Sequence, residues 1–533
     1  MMVNLIKKTW IRFAFWTFLL YFACPLQGQN PFLHPTAFIP DGEPHVFEYQ
    51  GEKRVFVYGS RDERITAYCG YGHDVWSASV NDLTQWTNHG EAFHVKQVFE
   101  IGYGIVNEQH FGAPDCVYNP ITKKYYLYTF LGALYRLDGK EGPLPEASGT
   151  VPGFGEYGPK CVMAQSDSPA GPFINPVMCD WPALNDKGAF DPAVLVDQQE
   201  DGSVRVYAYW GMVKGDRWAE LDPNDMHTII HTVTRMPDRH AFFKTLPDES
   251  QLNGSSLFEA SSIRKVAKDR YVFIYSANEL PHALTYCYSD SPKGPWQYGG
   301  RIVNNKTGWR GGNNHGGIFE VNGQWYVVYH RPAPNNFNRQ AMIEPISLSI
   351  EGDRVIIPEV EMTSQGVLMN GLNPFHRYYA GIVCYRDNDA CINGAERNSD
   401  GLNPIVNINP PSTTLGFKYF DFGKQPYTDR QSLFLKLNLA LIRKTKLTVM
   451  VALPEQTDHP EQWVTIATVV LDSIASVNGQ YQEVMAPITG LDNNEALQKM
   501  GGLKGKRAIY LKFEGIEGEL CRLKELEFSL STN

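Results

Sequence analysis

Basic clusters are missing from this chain of 533 residues: 48 Lys and Arg are dispersed against 58 Asp and Glu, for a net charge of −10. That balance offers no electrostatic footprint for nucleic acid or an anionic membrane surface. No CxxC, HExxH or zinc-finger spacing occurs, so a structural zinc has no support. Long apolar runs are also lacking, except at the start. There Lys7, Lys8 and Arg12 precede the greasy stretch Phe13 to Ala23, and Pro25-Leu-Gln-Gly-Gln-Asn30 follows. This is the pattern of a secretory signal, too short for a comfortable membrane span. The expectation is a signal peptide over 1–28 and an exported protein, periplasmic or secreted, with no transmembrane segment in the mature chain. Tyr21 stands where a lipidation signal has Leu, which argues against acylation at Cys24.

Cysteine is sparse, at nine residues. Cys384 and Cys391, in the turn-like Cys-Tyr-Arg-Asp-Asn-Asp-Ala-Cys, suggest a local pair in an oxidising compartment. Cys116, Cys161 and Cys287 lie in apolar, strand-like runs and read as buried thiols. What is abundant is aromatic residues (13%), with 47 Gly and 34 Pro, which favours short twisted strands joined by tight turns.

Those strands repeat. Ser166-Asp-Ser-Pro-Ala-Gly-Pro-Phe173 matches Ser289-Asp-Ser-Pro-Lys-Gly-Pro-Trp296, each a Pro/Gly turn closing an outer hairpin. Trp76 to Trp86 is a looser relative. Upstream, five segments begin with a polar residue, enter an apolar strand, turn and return as an aromatic strand. Glu43 leads to Val55–Tyr58, Asp115 to Tyr125–Tyr128, Asp191 to Val206–Tyr209, Glu259 to Tyr271–Tyr275 and His315 to Trp325–Tyr329. The leading residues are 72, 76, 68 and 56 positions apart, spacings that suit four-stranded blades. Five such units predict a five-bladed β-propeller over 30–375, with the innermost strands lining one central axis.

Glu43, Asp115, Asp191, Glu259 and His315 then converge on a single funnel. Crowded, partly desolvated carboxyls push one another's pKa values apart, keeping one protonated while another stays ionised. Glycoside hydrolysis has that requirement: one acid protonates the leaving oxygen and one carboxylate drives the attack.

The motifs Leu257-Phe-Glu-Ala-Ser-Ser-Ile-Arg-Lys265, Gly112-Ala-Pro-Asp115 and Gly311-Gly-Asn-Asn-His-Gly-Gly317 resemble glycoside hydrolase family 43, five-bladed propellers that release arabinose, xylose or galactose. The resemblance implies Glu259 as general acid and Asp115 as the residue that tunes its pKa. It implies that His315 helps to hold a central metal ion, often calcium, or its water. It also implies inversion at the anomeric carbon, with acid and base about 6.5–9.5 Å apart. The family's base is the Asp of an Asp-Pro pair, whereas this chain has Asp41-Gly-Glu-Pro44. Glu43 lies 12 residues before Val55, as Glu259 lies 12 before Tyr271, which favours Glu43 as base with Asp41 as competitor. Sugar contacts are expected from Asp191, Trp309, Arg310 and Arg331, with Phe190 and His330 beside them.

Beyond Asp387–Pro411, alternating strands such as Leu433–Leu439 and Lys446–Ala452 predict a β-sandwich over 385–533. Gly505 to Phe513 is similar to the jelly-roll carbohydrate-binding modules of family 6, whose role is polysaccharide anchoring; a brace packed on the propeller is the other reading. The expected function is an exported, exo-acting, inverting glycosidase that removes terminal arabinofuranosyl, xylosyl or galactosyl units from plant poly- or oligosaccharides. The alternative is a catalytically silent, sugar-binding propeller.

Overall fold

The computed structural model describes residues 28–531, apart from 64–67, 102, 106–110, 133, 137–159, 180, 182–188, 213–216, 231–233, 236–255, 279–281, 304–313, 334–336, 393–402 and 473–479. Five antiparallel sheets follow one another along the first two thirds of the chain. The first blade runs Glu43–Tyr49, Glu52–Ser60, Gly72–Ser79 and Asp82–His94 from the axis outward. The second comprises Phe111–Asn119, Lys124–Leu131, Lys160–Ser166 and Ile174–Cys179. The third and fourth begin with Ala193–Gln198 and Leu257–Ala267, and each has four strands. The fifth has three: Gly317–Val321, Gln324–Pro332 and Arg339–Ile346.

The chain start completes that last blade. Phe32 N–H donates to the Ala341 carbonyl (3.3 Å), and the Asn30 carboxamide exchanges bonds with Ile343 at 2.8 and 2.9 Å. Joining residues near 30 to the final blade closes the ring and covers the outer edge of Arg339–Ile346.

The repeated turns are stitches between blades. Tyr58 of the first blade is fully buried, and its hydroxyl donates to the Pro169 carbonyl of the second blade's turn at 2.6 Å. Tyr209 of the third donates in the same way to Pro292 of the fourth. The aromatic that ends each turn, Phe173 or Trp296, is wholly buried beside the same tyrosine. A polar tip satisfied by a carbonyl lets a large ring be buried without stranding its hydroxyl.

After the fifth blade two sheets pack face to face. One orders Tyr385–Arg386, Ser412–Asp421, Lys506–Glu514, Thr445–Ala452 and Val464–Leu471. The other orders Cys391–Ile392, Ile405–Ile408, Cys521–Leu530, Leu433–Leu441 and Gln482–Pro487, with Tyr378–Tyr379 alongside Cys521–Leu530. Leu433, Leu435, Leu437 and Leu439 are buried while Phe434, Lys436 and Asn438 are not, the period-two pattern of a sheet with one covered face. The core of this sandwich is continuous with that of the fifth blade, through Tyr329, Met342, Ile382 and Phe417.

Two expectations change. Cys384 and Cys391 are both free, because the residues after Cys384 join one sheet while Cys391 pairs with Val406 in the other. Arg331 is fully buried and turned away from the axis. Its guanidinium donates to Gln340 Oε1 and to the Gly381 and Val383 carbonyls that lead into the sandwich. It braces the two domains, and a side chain so occupied has no donors to offer a sugar in the funnel. Trp309 and Arg310 lie outside the described residues.

Candidate active site

The inner strands carry two stacked rings of side chains, and backbone register shows which residue belongs to which. Tyr58, Tyr128, Tyr209, Ile274 and Val328 occupy equivalent places, each facing the following blade. Opposite them stand Glu43, Asp115, Ala193, Ser262 and Gly317, which form the inner ring. Two residues nearer the mouth come Asp41, Asp191 and His315. Glu259 joins them because a bulge between Glu259 and Ser262 sets it opposite Ser276 rather than beside the inner ring. The equal 12-residue spacing therefore hides an offset: Glu43 is level with Ser262, and Asp41 is level with Glu259.

Local backbone explains how polar groups reach the mouth. Asp41, Ala113, Asp191 and Ala260 all have positive φ, between 45° and 71°. Left-handed geometry in residues with a Cβ is costly and persists only where the surroundings hold it. Here neighbouring blades do so: Ser60 Oγ accepts from Ala113 N–H (2.8 Å), and Asp191 Oδ2 accepts from Ala260 N–H (2.8 Å).

In the mouth ring, Asp41 is buried and meets Arg339 through Nη1–Oδ1 (2.8 Å) and Nη2–Oδ2 (3.4 Å). Its backbone N–H donates to His330 Nδ1 at 3.1 Å. Burial alone would raise its pKa, but Arg339, His330, His315 and the Ser60 hydroxyl together hold it well below the usual carboxylate range. Asp191 goes the other way: burial first, then the charges of Glu259 and Asp41, push it well above that range. Glu259 is itself buried, and its charge reaches both Asp191 and Tyr68. His315 Nδ1 lies 3.9 Å from Asp41 Oδ1 and 3.8 Å from Asp191 Oδ2, and has no hydrogen-bond partner. Burial lowers its pKa, and the charges of Asp41 and Glu43 oppose that shift. Phe190 packs against Phe130, at 4.1 Å between centroids, and supports the base of Asp191.

The inner ring is differently settled. Glu43 Oε1 binds Arg264 Nη2 (2.6 Å) and accepts from Ser262 Oγ (2.8 Å). Asp115 binds His45 Nε2 through Oδ1 and accepts from Val194 N–H through Oδ2, both at 2.7 Å. Burial opposes ionisation of Asp115, but His45, Arg264 and the Val194 amide outweigh it and lower its pKa. A Cβ on Gly317 would come within 2.8 Å of Glu43 Oε2, so the glycine leaves room for that carboxylate. Glu43, His45 and Asp115 each offer a potential metal-ligand atom within 4.8 Å of the others, and Glu43 Oε2 has no hydrogen-bond partner.

Sequence reasoning passed over Arg339, Asp62, His45 and Arg264. Arg339 stands in the apolar-flanked run Arg339-Gln-Ala-Met-Ile343, and a cation opening a buried strand was the available signal.

The family model for glycosyl hydrolases family 43 matches residues 44–352. A xylosidase/arabinosidase of Thermoclostridium stercorarium is 31% identical over 437 residues, covering 74% of this chain and 83% of that protein. An arabinoxylan arabinofuranohydrolase of Paenibacillus polymyxa is 26% identical over 434 residues, covering 75% of this chain and 61% of its own. A Bacillus subtilis arabinoxylan arabinofuranohydrolase, solved with cellotetraose, aligns over 96% of this chain and 99% of its own at 20% identity and a TM-score of 0.44. With the family model spanning more than half its length and the propeller carrying a ring of acidic groups at its mouth, this chain belongs to glycosyl hydrolases family 43.

Proposed function

We propose that the protein is an exported, exo-acting, inverting glycosidase that releases terminal arabinofuranosyl or xylosyl units from plant polysaccharide. The carrying observation is the mouth ring, in which one buried carboxyl is held ionised and another is driven toward its protonated form. Asp41, kept anionic by Arg339, serves as base and takes a proton from the water that attacks the anomeric carbon. Glu259 gives its proton to the leaving oxygen. Asp191, its own pKa pushed up by burial and by the charges of Glu259 and Asp41, shares that buried space with Glu259 and so tunes the acid. Glu43 and Asp115, first candidates for base and pKa tuner, instead serve the inner ring as support. The names of the relatives, xylosidase/arabinosidase and arabinoxylan arabinofuranohydrolase, support the choice of sugars.

A calcium ion, if bound, would be held through water by His315, whose buried Nδ1 has no hydrogen-bond partner. There it would supply positive charge between Asp41 and Asp191, and no proton transfer above depends on it. Export rests on the segment before Gly28, and the Arg331 bonds favour the sandwich as a brace.

A screen of nitrophenyl arabinofuranoside, xyloside and galactoside, with product anomer read by NMR, tests this reading. Release of arabinose or xylose with inverted configuration, abolished by Glu259→Gln, is expected. Sugar binding without hydrolysis in the unmodified protein would leave the silent-propeller alternative.

A further inference from the structure

The loop after the first blade's second strand carries three residues that converge on one arginine. Asp62 is 5% exposed and accepts three hydrogen bonds from Arg339: from N–H and Nε on Oδ2 (2.9 and 3.0 Å) and from Nη2 on Oδ1 (3.0 Å). A fourth bond, from Cys69 N–H to Oδ1 (2.9 Å), ties the far end of the loop to the same carboxylate. Tyr68 lies against the guanidinium at 5.0 Å from its ring centroid, and Cys69 Sγ sits 3.6 Å from Nη2 and 3.9 Å from Asp41 Oδ2. Asp62 N–H is in turn anchored on the Phe38 carbonyl at 2.9 Å.

A guanidinium is a planar fork with two usable edges. One edge of Arg339 is filled by Asp62, which leaves the other facing Asp41. Arg339 sits on a strand of the fifth blade, whereas Asp41 opens the first. The orientation of the fork is therefore set by neither of those strands alone, but by Asp62.

We infer that Asp62 is a positioning residue for the reaction: it does not touch substrate, but locks Arg339 so that its second edge holds Asp41 in the attacking geometry. Tyr68 and Cys69 of the same loop close the remaining sides. This rests on the proposed role of Asp41 as base.

Asp62→Asn keeps the volume but turns a donor toward the fork, so one edge loses its lock. The expected result is a fall in kcat of about 10- to 100-fold with KM within about 3-fold, since small misplacements of a catalytic group have that cost. The loss should be the same for dinitrophenyl and for poor leaving groups, because the defect lies on the water-activating side. A purely structural Asp62 predicts a lower Tm with kcat unchanged, and that result overturns the inference. Should Asp62→Asn fail to fold, Tyr68→Leu reads the same clamp: a smaller fall in kcat, again independent of leaving group, supports it, and an unchanged kcat refutes it. Asp41→Ala, run alongside, separates the two claims. If Asp41→Ala abolishes turnover while Asp62→Asn leaves kcat unchanged, only the positioning role fails; if Asp41→Ala stays active, the base assignment itself falls.

Discussion

Two rings of side chains sit one above the other on the propeller axis, yet their charges are handled in opposite ways. In the inner ring each carboxylate has its own basic partner: Arg264 for Glu43 and His45 for Asp115. In the mouth ring Asp41, Asp191 and Glu259 share one arginine, which Asp62 also engages, and two histidines, His330 and His315, the second with its pKa lowered by burial. Matched pairs stabilise; an unmatched set leaves one group protonated beside another that is ionised. The comparison teaches that acidic residues on a propeller axis need not be catalytic, and that it is the excess of acids over cations that marks the working ring.

The sharpest break of that comparison is at Glu259. Glu259→Gln should lower kcat by about 10²–10⁴-fold on a poor leaving group, with most of the loss recovered on a dinitrophenyl glycoside, because only the general acid is missing. Next comes the choice between the rings. Asp41→Asn should cost a similar factor irrespective of leaving group, while Glu43→Gln should cost less than about 10-fold and be felt mainly in Tm. A reversal of those two would move the base to the inner ring.

Asp115→Asn tests the inner ring as structure. Removing one partner of a buried pair typically destabilises by about 3–5 kcal/mol, to be read in denaturant unfolding with turnover of the folded fraction largely kept. Its pH signature has a definite sign. Asp115 has a lowered folded pKa, so its contribution is present above the unfolded value of about 3.9 and is lost as pH falls through the folded value. The acid limb of stability should therefore flatten in Asp115→Asn. The smallest effect is expected at the blade stitch: Tyr58→Phe removes one hydrogen bond to Pro169, about 1 kcal/mol in stability, with activity unchanged.

Much of the propeller was legible because a four-stranded blade is written as a repeat, and the Ser-Asp-Ser-Pro turns recur for a reason visible in the packing. Their carbonyls satisfy buried tyrosines of the preceding blade, and their final aromatics fill the space between blades. Membership of the axis was legible too, since Asp191, Glu259 and His315 do meet there. Depth on the axis was not. Counting residues from Glu259 to Tyr271 treats the strand as regular, and the bulge at Ala260–Ser261 breaks that count. Arg331 misled for a related reason: side chains alternate along a strand, so His330 points to the axis and its neighbour points to the sandwich. The Cys384–Cys391 spacing suggested a pair, but a seven-residue separation says nothing of which sheet each half joins.

What the sequence determined alone is the architecture and the kind of chemistry. Hydrophobic alternation and turn residues act over a few positions, and they repeat often enough to be counted. What only tertiary structure decided is which acids share a ring, which cation each receives, and how Asp62 reaches Arg339 across 277 positions of chain. Those are distances between blades, set by bulges and by ring closure, and electrostatic energy depends on distance in space rather than on separation along the chain.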